Sequence, residues 1–77
     1  MPLLKADLRA LFEHLDRPEA PPCDHTLRQT LRFLRGRALD PKAVVPWLNY
    51  HGGYCDCEVI ANVADKYAQL VDYRDGV

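Results

Sequence analysis

Three breaks decide what this chain can become. In Arg17-Pro-Glu-Ala-Pro-Pro, Pro18, Pro21 and Pro22 fall within five positions. Such a stretch cannot continue a helix and favours an extended linker. Leu39-Asp40-Pro41 is a helix start, with Asp40 as the N-cap and Pro41 at the first helical position. Gly52-Gly53 then stops whatever precedes it. Only short elements fit between these breaks, and 77 residues leave room for one core.

Each segment between breaks carries helical spacing. Leu4, Leu8, Leu11 and Leu15 share a face in the first, with Phe12 beside them and charged residues elsewhere. His14 falls off that stripe and reads as solvated. The second segment, Thr26 to Arg37, aligns Leu27, Leu31, Leu34 and Ala38, with Asp24 or Thr26 as its cap. In the third, Val44, Trp47, Leu48 and His51 share a face, and Pro46 predicts a kink or a short helix. The fourth aligns Ile60, Val63, Ala64, Tyr67 and Val71. Asp56 is placed to cap it, although the β-branched residues from Cys57 to Ile60 also suit a short strand. Trp47, Phe12 and Phe33 read as core. The fold expected is mainly α: a small single domain of three to four short helices, stapled by one zinc site. Its parts are an N-terminal helix (1–16), a Pro-rich linker (17–22), a Cys/His-containing helical core (23–71) and a tail (72–77).

A core this small is only marginally sufficient, and small domains often add a metal, disulfides or a partner. Three cysteines cannot all pair within one chain. The N-terminus has no apolar leader, and no apolar run approaches the ~20 residues that span a bilayer. These features point to a cytoplasmic protein with reduced thiols and no membrane partner. Clustered cysteines then read as metal ligands or redox groups.

Those cysteines lie in two short pairs, Cys23-Asp24-His25 and Cys55-Asp56-Cys57. Zinc takes four tetrahedral ligands, and three thiolates with one imidazole are a common structural set. Cys23, His25, Cys55 and Cys57 are therefore the expected ligands, with His51 as an alternative fourth ligand or a residue standing behind them. One intervening residue per pair is tighter than the usual two. The competing expectation is that the cysteines are reduced and half-buried, packing loops onto the core. A third is a redox pair made by Cys55 and Cys57, whose small disulfide ring would be strained and easily reduced.

Other chemistry is sparsely signalled. Arg28, Arg32 and Arg35 occupy one side of the second segment and suit phosphate oxygens. However, the chain is net −1 with no aromatic platform for bases, so a solvated face is the plainer reading and nucleic acid an unexpected partner. There is no Gly-rich phosphate loop and no hydrolase motif. Four protein ligands would also close a zinc to water, leaving Glu58 no catalytic role.

The chain resembles the bacterial DUF2695 family of unknown function. The resemblance rests on Cys23-Asp24-His25-Thr26, Leu39-Asp40-Pro41 and Pro46-Trp47-Leu48. It rests most on the run from His51-Gly-Gly-Tyr-Cys-Asp-Cys-Glu58 through Val59 and Ile60 to Asn62 and Val63. It covers roughly residues 20 to 65 and implies no activity. The expected role is a zinc-containing binding or regulatory module for a protein partner, rather than an enzyme. The alternatives are a thiol- or metal-dependent small enzyme or redox protein using Cys55 and Cys57, and a nucleic-acid binder using the arginine face.

Overall fold

The computed structural model describes residues 2–17, 19–20, 22 and 24–71. Cys23 and the 72–77 tail lie outside the described residues. The described elements are helical: α1 (Lys5–Leu15), α2 (Arg28–Gly36), α3 (Pro41–Tyr50), α4 (Asp56–Glu58), a π-helical turn (Val59–Val63) and α5 (Ala64–Tyr67). The last three run on without interruption, because Val59 and Ala64 at the joints keep right-handed helical dihedrals. The stretch from Cys57 to Ile60 is therefore helix, not strand.

In α1 the leucine stripe works, shifted by one residue at its start. Leu8, Leu11 and Phe12 are buried with Leu3, whereas Leu4 is exposed. Leu4 occupies the cap position, where its extended backbone turns the side chain off the helical stripe. Arg37 at the end of α2 pairs with Asp7 at 3.0 Å. His14 near the end of α1 lies against Phe33, their ring centroids 5.5 Å apart. The two helices thus run in opposite directions.

α2 ends two residues before its last sequence-aligned position. Ala38 adopts φ 55°, and Leu39 N–H donates to Leu34 O at 2.8 Å. This is a Schellman stop with alanine where glycine is usual. α3 starts as its sequence dictates: Asp40 Oδ1 accepts from Lys42 N–H at 3.0 Å, with Pro41 inside the first turn. Pro46 does not interrupt it, and the helix continues to Tyr50. It ends in a second Schellman stop, in which Gly53 N–H donates to Leu48 O at 2.8 Å and Gly52 takes φ +87°.

The paired glycines have separate reasons. Gly52 supplies the left-handed turn. A Cβ on Gly53 would stand 3.1 Å from both Val59 Cγ2 and Val63 Cγ2 and 3.2 Å from Leu48 O, so glycine lets the π turn close against the end of α3 without crowding. Asn62 completes the joint by donating to Gly52 O at 2.9 Å.

One core joins α1, α2, α3, the π turn and α5. Leu8, Leu11, Phe12, Leu34, Val44, Leu48, Val59 and Val63 are fully buried. Each contributes roughly 1.5–3 kcal/mol of apolar burial. Val59 and Val63 both face inward, so Val59 joins a face that regular helical spacing assigned to Ile60. Among the described residues no helix is long and apolar enough to cross a membrane.

Candidate functional site

The turn from Asp24 to Thr26 and the Cys55–Cys57 segment meet, and Asp56 is what joins them. The cap expected of Asp24 or Thr26 is met only in part: Leu27 occupies the cap position and makes no side-chain cap bond, while Thr26 serves one donor of the first turn of α2. Three donors of that turn find acceptors outside the helix. Arg28 N–H donates to Thr26 Oγ1 at 3.2 Å, Gln29 N–H to Asp56 Oδ2 at 3.0 Å and Thr30 N–H to Asp56 Oδ1 at 3.0 Å. The Thr30 hydroxyl adds a 2.7 Å bond to Asp56 Oδ1. In return, Asp56 N–H donates to Thr26 O at 2.9 Å. Asp56 thus caps α2 from across the chain rather than the helix it begins. Its buried carboxylate also sits at the positive end of α2, where negative charge is stabilised.

Asp24 and Thr26 build the turn that presents this junction. Asp24 Oδ1 accepts from Thr26 N–H at 3.1 Å and from the Thr26 hydroxyl. That hydroxyl bond, ahead of the backbone bonds and the Arg28 charge, holds the Asp24 carboxyl below the usual carboxylate range. His25 stands between them, exposed, at φ 67°.

On the other side of the junction, Cys55 Sγ and Cys57 Sγ are 3.2 Å apart. Cys55 is buried and Cys57 exposed. Cys57 borders a cleft of about 220 Å³, with His14, Arg17, Gln29, Asp56 and Ile60 among its walls. A smaller hollow of about 120 Å³ also borders Asp56, bounded by Pro22, Asp24, Arg28 and Gln29.

His14 is half-buried rather than free in solvent. Arg17 Nη1 donates to its Nδ1 at 2.9 Å, which places the ring proton on Nε2. Nε2 is buried without a hydrogen-bond partner among the described residues. Burial, reinforced by the Arg17 charge, pushes the imidazole pKa below its ordinary value. The spacing gave no sign of this, because the partners, Phe33 and Arg17, lie on another helix and past the helix end.

His51 sits in an aromatic cluster. Its ring centroid lies 4.8 Å from Trp47 and 5.1 Å from both Tyr50 and Tyr67. Its Nε2 is 3.2 Å from the Tyr67 hydroxyl. The arginines face solvent: Arg28, Arg32 and Arg35 are exposed, and Arg28 Nη1 lies 3.7 Å from Asp24 Oδ2. Among the described residues no three His, Cys, Asp or Glu side chains are grouped to hold a metal ion.

A family model described as "Protein of unknown function (DUF2695)" matches residues 11–62. The match starts inside α1, earlier than the motifs alone suggest, and takes in the core residues Leu11 and Phe12. The chain is 37% identical over 57 residues to the uncharacterized proteins Mb2294 of Mycobacterium bovis and Rv2271 of Mycobacterium tuberculosis, covering 73% of this chain. It spans 58% of the length of those relatives. No solved structure matches.

Proposed function

The chain belongs to the DUF2695 family of proteins of unknown function, and from its own residues we propose a small helical binding or regulatory module organised around one zinc site. Cys23, His25, Cys55 and Cys57 are its ligands. The observation that carries this reading is the convergence of the Cys55 and Cys57 sulfurs beside the turn that bears His25 and leads back to Cys23. Two sulfurs on one tetrahedral zinc stand about 3.8 Å apart, close to the 3.2 Å between these thiols. The described donors fit in part: His25, Cys55 and Cys57 alone do not form a group of three. Cys23 is therefore the ligand on which the proposal depends. Bound zinc would supply a closed, structural link between the two turns. A protein partner would then read the surface those turns present.

The test is elemental analysis of untagged protein, followed by thermal melts with and without a chelator. The proposal expects about one zinc per chain, a lower Tm after chelation and loss of zinc in Cys23→Ser. Metal-free protein with a melt indifferent to chelator overturns it.

A further inference from the structure

We propose that Cys55 and Cys57 also form a thiol–disulfide exchange pair whose oxidation loosens the start of α2 through Asp56. The proposal does not rest on zinc, since exchange needs only the two thiols. Three observations carry it. The sulfurs are already in contact at 3.2 Å, and a disulfide requires closure to about 2.05 Å. The pair is asymmetric, with Cys57 exposed to attack an incoming disulfide and Cys55 buried behind it. The residue between them is the one whose N–H and carboxylate tie the turn to Thr26, Gln29 and Thr30.

The substrate class is a small disulfide of the glutathione type. The Cys57 thiolate attacks one sulfur of the disulfide and releases one thiolate, forming a mixed disulfide. Cys55, giving up its proton to solvent, then attacks Cys57 Sγ and releases the second thiolate. Two protein S–H groups become one S–S bond, and one external disulfide becomes two thiols. The resulting ring contains the whole Asp56 backbone, so twisting it into a disulfide displaces the groups that cap α2. A ring this small is easily reduced again, as a reversible switch requires.

The experiment uses the full chain, reduced and stripped with chelator, exposed to oxidised glutathione and mapped by mass spectrometry. The expected product is an intrachain Cys55–Cys57 disulfide. Cys55→Ser stalls as a mixed disulfide on Cys57, and Cys57→Ser reacts far more slowly. On oxidation, amide exchange at Gln29 and Thr30 quickens about fivefold, as loss of one cap implies, and re-reduction restores it. A disulfide through Cys23, or a wild-type chain that stalls at the mixed disulfide, overturns the exchange pair. Unchanged protection at Gln29 and Thr30 overturns the coupling to α2. A disulfide formed by a chain that never held metal leaves this proposal standing while the zinc reading falls. A zinc-bound chain whose stripped thiols fail to close does the opposite, sinking the exchange pair and sparing the zinc.

Discussion

Replacing Asp56 with alanine removes one side chain and strands three donors. Thr30 is fully buried, and both its N–H and its hydroxyl lose their acceptor. The Gln29 N–H, in a half-buried residue, loses its own. A buried donor left without a partner costs about 1–3 kcal/mol, and an N-cap replaced by alanine about 0.5–2 kcal/mol. The carboxylate's own desolvation is relieved at the same time, which offsets part of the loss. The net cost of Asp56→Ala is then about 2–4 kcal/mol. A chain of this size has a total stability of roughly 4–12 kcal/mol, so the variant loses a large share of it. The corresponding fall in Tm is on the order of 10–25 °C.

Thermal and urea melts followed by circular dichroism measure this directly. Asp56→Asn keeps one acceptor oxygen but loses the charge, and falls between wild type and alanine. Thr30→Val deletes only the hydroxyl bond and costs about 1 kcal/mol. Asp65→Ala, an exposed acid on α5, is the control. If Asp56→Ala melts together with Asp65→Ala, the long-range cap contributes nothing and Asp56 does not join the two turns. A double-mutant cycle between Asp56→Ala and Thr30→Val adds a second check: independent costs would mean that the two groups do not share the bond.

Three further outcomes follow from the geometry. Ala38→Gly relieves the left-handed residue at the end of α2 and raises stability by about 0.5–1 kcal/mol in a urea melt, the exposed methyl being of little value. Gly53→Ala drives a Cβ into Val59, Val63 and the Leu48 carbonyl, and lowers stability by about 1–3 kcal/mol. Because burial lowers the His14 pKa, the unfolded chain takes up a proton first as pH falls. Stability is therefore at its full value above the ordinary histidine pKa of about 6.5 and declines from there down to the folded-state value. His14→Gln flattens that part of a stability–pH curve, and a wild-type curve flat across the same window would refute the assignment.

The fold was legible wherever the cause was local. Asp40-Pro41 and Gly52-Gly53 act on their own backbone, so a helix start and a stop can be read at those positions. Leu8, Leu11 and Phe12 follow from spacing alone. What could not be read depends on residues far apart in sequence. Nothing in Cys55-Asp56-Cys57 says that its acid belongs to a helix beginning at Arg28. The other side gave no signal either: Asp24 and Thr26 offered a local cap, and only the later helix start at Arg28 leaves the Gln29 and Thr30 N–H groups to Asp56. The π turn was invisible for a similar reason. Val59, Ile60 and Val63 fit a regular helix equally well, and the contact that distinguishes them, the close approach of Val59 and Val63 to Gly53, joins separate parts of the fold.

The Asp56 junction also sharpens what a metal could do here. Small zinc domains that depend on metal for folding have no other means of holding their ligand turns together. In this chain the two turns are already joined by hydrogen bonds, over a core that includes α1, α2, α3 and the π turn. Zinc held as proposed by Cys23, His25, Cys55 and Cys57 would therefore add stability by mass action to segments that the Asp56 hydrogen bonds already join. Chelated protein is expected to keep its helical circular dichroism and a cooperative melt at lower temperature. Combining chelation with Asp56→Ala removes both links and is expected to abolish the cooperative transition. If chelation alone unfolds the wild-type chain, the hydrogen bonds at Asp56 do not hold the turns, and the metal rather than the acid is the organising element.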